Sequence, residues 1–164
     1  TAEEAWLVRH GDGPDTSVHL ETYLEVPTAW RDPASAGKFA QLRDVRRVVT
    51  GALELERAEK RLGASLQAAV TVYADESYRA AIADSDLAEL AIVSAATLHY
   101  GAVPAGAFTL PEVPGVAVTV ALAPGEKCQR CWRVLPEVGH VHGHDDLCRR
   151  CAEMVDAAAA PSLA

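Results

Sequence analysis

All four cysteines of this 164-residue chain lie in two short pairs, Cys128-Gln-Arg-Cys131 and Cys148-Arg-Arg-Cys151. The pairs are sixteen residues apart, which gives C-x2-C-x16-C-x2-C, a spacing that suits a four-thiolate zinc site. Each C-x-x-C turn sets two thiolates on one side of a tight loop. Two such loops can close a tetrahedron with Zn–S bonds of about 2.3 Å. Protein then fills every position, so the metal is structural and has no place for substrate. Two disulfides are the competing use, but they belong to oxidising compartments and no signal peptide is visible. A redox dithiol needs only one pair. His140, His142 and His144 lie between the pairs, and each is chemically able to replace a cysteine. With four thiolates available, they are expected to be solvent-facing loop residues.

Apolar residues make up 49% of the chain, enough for a core, and no apolar run is long enough to span a bilayer. The net charge of −8 opposes non-specific nucleic-acid binding by the whole surface but leaves room for a local basic patch. The chain reads as cytosolic. It has no Gly-rich phosphate loop, no nucleophile elbow and no paired carboxylates, so no catalytic residues are assigned.

The pattern predicts an α+β fold: a long helix, a small α/β unit with a few strands, then the four-cysteine finger. A short helix is expected over 1–9 with Thr1 as its cap, and mostly loop over 10–34 with 17–20 extended. A helix over 35–62 carries Leu42, Val45, Val48, Val49, Ala52 and Leu53 on one face, with Gly63 as its stop. Glu56 and Glu59 intrude on that face, which suggests that its last turns leave the core. Arg43, Arg47, Thr50, Arg57 and Arg61 fall roughly opposite. Between Lys38 and Arg61 seven basic residues face four acidic ones. That stripe has two readings, a solvated salt-bridged face or a phosphate-binding one. Strands are expected over 69–73, 91–98 and 116–122. Helices over 76–82, capped by Asp75, and 86–90, capped by Asp84 or Ser85, join the first two strands as parallel neighbours. Residues 101–115 read as loop. The domains are then 1–63, 64–123 and a finger over 124–156, followed by a frayed, disordered tail over 157–164.

Several stretches resemble the late part of bacterial-type isoleucyl-tRNA synthetases. They are Thr1-Ala-Glu-Glu-Ala-Trp6, Ser17-Val-His-Leu20 with Pro27 and Trp30, the helix from Arg46 to Leu62, and Gly63-Ala-Ser-Leu-Gln-Ala-Ala69. The ending Lys127-Cys-Gln-Arg-Cys-Trp-Arg133 … Leu147-Cys-Arg-Arg-Cys151 is similar to that family's zinc finger, a relative of which closes the formamidopyrimidine-DNA glycosylases. The resemblance implies a non-catalytic part of a larger enzyme that joins isoleucine to its tRNA with ATP. Residues 1–63 would end its helical anticodon-binding domain. ATP would bind only in a catalytic domain outside this chain, whose H-I-G-H and K-M-S-K-S signatures do not occur here. The implied partner is isoleucine tRNA and the implied cofactor one structural zinc, in a cytoplasmic monomer away from membranes. Residues raised to RNA contacts are Arg43, Arg47, Arg57, Arg61, Arg130, Trp132, Arg133 and Arg150. Other uses stay open. Arg130 and Arg149 could balance the charge of the thiolates, and Trp132 could pack over the site or stack on a base. A DNA-binding module and a protein-interaction module are the rival functions.

Overall fold

The computed structural model describes residues 2–13 and 15–159. The Thr1 cap and the 160–164 part of the tail lie outside them. The chain divides into two compact units, Thr1–Pro33 and Ala34–Ala164. This division does not coincide with a boundary at residue 63.

In the first unit, helix α1 (Ala2–His10) carries Glu3 and Glu4 in its first turn, where carboxylates suit the helix dipole. Glu3 accepts a hydrogen bond from the Val18 N–H at 3.1 Å, which ties the following segment back to the helix. Trp6 and His10 stack with centroids 4.0 Å apart. The expected extended segment over 17–20 is instead a 3-10 turn, Val18–Leu20, because the Ser17 hydroxyl accepts from the His19 N–H and closes a local cap.

The second unit is organised around helix α2 (Pro33–Ala58), which buries the six apolar residues expected of it. Pro33 suits the first helical position, where its missing N–H costs nothing. The helix ends at Ala58, earlier than residue 62. The left-handed residue that ends it is Lys60 (φ 58°), not Gly63. Arg61 N–H then donates to the Glu56 carbonyl at 2.9 Å. Gly63 and Ala64 instead donate to the Gln67 side-chain oxygen at 2.8 and 3.1 Å, which shapes the entry to the sheet.

Four strands, β1 (Ala68–Ala74), β2 (Ala95–Tyr100), β3 (Phe108–Leu110) and β4 (Val113–Leu122), form a sheet in the order β2-β1-β4-β3. Strand β1 pairs parallel with β2 and antiparallel with β4. The parallel pair follows from the crossover made by α3 (Arg79–Ile82) and α4 (Leu87–Ala91). Alternation along β1 buries Ala68, Val70, Val72 and Ala74 in the cluster that holds the apolar face of α2. Residues 91–94 are not strand. Ile92 turns left-handed (φ 57°) to cap α4, and Val93 N–H donates to the Ala88 carbonyl. Asp86, rather than Asp84 or Ser85, caps α4 by accepting from Glu89 N–H. Asp75 makes no side-chain cap, and the helix expected over 76–82 starts as a 3-10 turn, Glu76–Tyr78. The expected loop at 101–115 contains strand β3 (Phe108–Leu110), which pairs with β4. Phe108 belongs over Gly51, where a Cβ would stand 2.8 Å from its ring.

Candidate metal centre

The finger opens with a two-stranded ribbon, β5 (Glu126–Lys127) against β6 (Val134–Leu135). Gly125 makes the entry possible. It adopts φ 107°, and a Cβ there would stand 2.3 Å from the Leu135 carbonyl carbon. The ribbon presents the first knuckle, closed by Trp132 N–H to the Cys128 carbonyl and Cys128 N–H to the Arg133 carbonyl, both at 2.9 Å. The second knuckle opens helix α5 (Arg149–Ala159), whose first turn is set by Ala152 N–H on the Cys148 carbonyl. Residues 157–159, expected in the tail, belong to this helix.

All four sulfurs lie within 4.8 Å of one another, and no disulfide joins them. Cys131 Sγ and Cys148 Sγ are 3.7 Å apart. A tetrahedron with bonds of about 2.3 Å has edges of about 3.8 Å, so the spacing fits zinc. Cys128, Cys148 and Cys151 are buried with Val138 in a small core of their own, flanked by Leu135 and Leu147. This four-cysteine cluster holds one structural zinc. Burial opposes ionisation of Cys128, but hydrogen bonds from the backbone at Cys131, Cys148 and Arg130 outweigh it and bring the thiol down to about 6. Burial pushes Cys148 up to about 12, and the neighbouring sulfurs add to that. A dication at the centre of the cluster would favour the thiolate form of its ligands.

Two guanidiniums attend the sulfurs. Arg130 Nη1 lies 3.7 Å from Cys151 Sγ. Arg150 bonds to Cys131, which raises the arginine further above its ordinary value. The second charge-balancing arginine is therefore Arg150. Arg149 instead uses its backbone N–H on Glu137 at 3.1 Å. His140 and His142 are exposed, and His144 pairs with Asp156 at 2.8 Å, so none joins the sulfur cluster.

Trp132 does not pack over the metal site. Its residue is 60% exposed, its backbone is left-handed (φ 67°), and Lys127 Nζ stands 5.2 Å from its ring centroid. Arg133 turns inward, donating from Nη2 to the Ser94 carbonyl at 2.7 Å. Ser94 is buried and also bridges: its hydroxyl donates to the Leu66 carbonyl at 2.6 Å and accepts from Val134 N–H at 2.7 Å. It ties the finger to the sheet. Its sequence signal was a polar residue, one of two with Thr97, inside the apolar run 91–98.

The arginine stripe of α2 does not act as one group. Arg57 is held by Glu54 and the Ser65 hydroxyl, and Arg61 by Glu56 and Glu59. Arg43 and Arg47 stay exposed, and with Arg46 and Thr50 they line an open hollow of about 440 Å³.

The fold and the sulfur cluster define a zinc-finger protein of mixed α and β structure. Residues 125–153 match the family described as "Zinc finger found in FPG and IleRS". The chain is 47% identical over 152 residues to an isoleucine–tRNA ligase of Ruegeria pomeroyi, covering 92% of this chain and 16% of the relative. It is 50% identical over 140 residues to that of Brucella abortus (85% and 14%) and 46% identical over 165 residues to that of Agrobacterium fabrum (100% and 16%). Over most of its length the chain is therefore similar to the C-terminal part of isoleucine–tRNA ligases. It spans about one sixth of the length of these curated relatives.

Proposed function

We propose that this chain is the tRNA-binding end of an isoleucine–tRNA ligase and supplies recognition rather than chemistry. Its target would be the anticodon region of isoleucine tRNA. Activation of the amino acid with ATP would belong to the rest of a cytoplasmic, monomeric enzyme. In this reading residues 1–63 complete a helical anticodon-binding domain, 64–123 form a connecting α/β domain and 124–156 the finger. The observation that carries the proposal is Trp132: an exposed indole on a left-handed backbone, with a lysine ammonium beside its ring. Unpaired RNA bases are commonly read by stacking on aromatic rings, with cations engaging the phosphates. Zinc would act indirectly, by giving the knuckle a fixed shape. Arg130 and Arg150, held at the sulfurs, are proposed to support neighbouring phosphates. Arg133 is proposed to orient the finger from its bond to Ser94, and Arg57 and Arg61 to contribute only at long range.

The test is a titration of the zinc-loaded chain with isoleucine tRNA, a non-cognate tRNA and duplex DNA over several salt concentrations. The proposal expects preference for isoleucine tRNA and an affinity that falls steeply with salt. Equal affinity for duplex DNA would instead favour a glycosylase-type DNA module. No binding to any nucleic acid would favour a protein-interaction module.

A further inference from the structure

We infer that Cys131 is a site of oxidative modification: a small hydroperoxide entering the hollow beside it converts the metal cluster into a Cys131–Cys148 disulfide and frees the zinc. The inference stands on the sulfur cluster and does not depend on RNA binding.

The four sulfurs are not equally protected. Cys128 and Cys151 are fully buried and Cys148 is 2% exposed, whereas Cys131 is only half-buried. Cys131 also lines an open hollow of about 270 Å³ between the finger and α4, which the other three cysteines do not line. Leu66, Ala88, Ile92 and Val93 make its apolar wall, and Arg133 and Arg150 supply donors. Arg150 bonds to Cys131 itself. Arg133 is engaged through Nη2, but its Nε is buried and has no hydrogen-bond partner. Glu89 lines the hollow as well, which favours a neutral oxidant over an anionic one. Hydrogen peroxide fits these demands, being small, uncharged and rich in acceptor lone pairs.

A zinc-bound cysteine is a thiolate, the form that oxidants attack. The Cys131 sulfur takes one peroxide oxygen: an S–O bond forms, the O–O bond breaks, and hydroxide leaves beside the Arg150 guanidinium. The product is a sulfenic acid at Cys131. Cys148 Sγ lies 3.7 Å away. A disulfide is about 2.05 Å long, so a shift of less than about 2 Å joins the two sulfurs. The Cys148 thiolate attacks the sulfenic sulfur, the S–S bond forms, and the S–O bond breaks to release a second hydroxide. Two protons from solvent turn both hydroxides into water. The sulfurs have together lost two electrons and one peroxide has been reduced. Cys128 and Cys151 remain reduced, and two thiolates no longer hold the ion. Because sulfenic acids and disulfides are reversible products, a dithiol reductant with added zinc rebuilds the site.

The probe is hydrogen peroxide, added to the full zinc-loaded chain. Cleavage after Lys127, Arg130, Arg133, Arg149 and Arg150 puts each cysteine on its own tryptic peptide, so every adduct and pairing is assigned without ambiguity. With a sulfenic-acid trap present, the Cys131 peptide should carry at least about five-fold more label than any other. Without the trap, one peroxide should release one zinc to a chromogenic indicator, and the Cys131 and Cys148 peptides should appear joined. R150Q should slow this release about ten-fold, since the departing oxygen loses a donor. A merely weakened site would instead lose its metal faster. First labelling at Cys128, Cys148 or Cys151 would overturn the inference, as would a disulfide that omits Cys131, or release from R150Q at or above the wild-type rate. The labelling and pairing arms need only the wild type, so they decide the matter even if R150Q fails to load zinc.

Discussion

At Trp132 a large side chain occupies a backbone conformation that costs an L-residue about 1 to 2 kcal/mol. Its ring is mostly exposed, so no burial offsets that cost. This separates two accounts by experiment. If the indole served the fold, W132G would lower the Tm of the zinc-loaded chain. If it serves a ligand, glycine relieves the left-handed strain and the Tm stays level or rises. Affinity for a stem-loop RNA should then fall about ten-fold or more, the order expected when one stacked base loses its platform. Gly125 makes the opposite case. A Cβ there meets the Leu135–Pro136 backbone rather than a movable side chain. G125A should therefore open the β5–β6 ribbon and cost about 1 to 3 kcal/mol or more, read as earlier zinc release in a chelator titration.

Among the elements, α2 and the metal-binding turns were the most legible, because each rests on a local pattern. The 3.6-residue period of Leu42, Val45, Val49, Ala52 and Leu53, with Val48 between, marked the buried face, and the spacing of the cysteines marked the metal site. Strand β3 was hidden because it is only three residues long, its hairpin to β4 shifts register between Thr109 and Leu110, and Pro111 and Pro114 sit close by. Ile92 was misplaced into a strand because a β-branched residue in a left-handed cap contradicts its own propensity. The pairing of Arg57 and Arg61 fits the salt-bridged reading of the stripe, but which carboxylates hold them depends on where α2 stops. That stop carries its own prediction. The hydrogen bond from Arg61 holds the Glu56 carboxyl below its ordinary value. A lowered carboxyl stabilises the fold above its unfolded pKa of about 4.5, and that contribution is lost as pH falls through the lower folded value. Comparing wild type with E56Q from about pH 7 to about pH 3, the wild type should lose its advantage below about pH 4.5. A difference that grows with acidification would contradict the pairing.

Across the second unit there are two separate hydrophobic clusters, one between α2 and the sheet and one around the sulfurs. The finger cluster is too small to fold alone, and zinc binding worth about 10 to 16 kcal/mol can supply what it lacks. Chelation should therefore unfold residues 126–152 and weaken tRNA binding, while the sheet cluster keeps its far-ultraviolet dichroism. Ser94 links the two clusters, being bound at once to Leu66 in the sheet unit and Val134 in the finger. S94A would leave both backbone groups without partners, at about 1 to 3 kcal/mol. That penalty should depend on the metal. With zinc bound, Val134 N–H stays buried against the missing hydroxyl and the full cost is paid. After chelation, Val134 turns to water and only the Leu66 share remains. Denaturant unfolding of wild type and S94A, each with and without chelator, closes a thermodynamic cycle, and the coupling between serine and zinc should be about 1 kcal/mol or more. A coupling of zero would show that the sheet does not hold the finger through Ser94, and that the orientation of Trp132 is set within the finger alone.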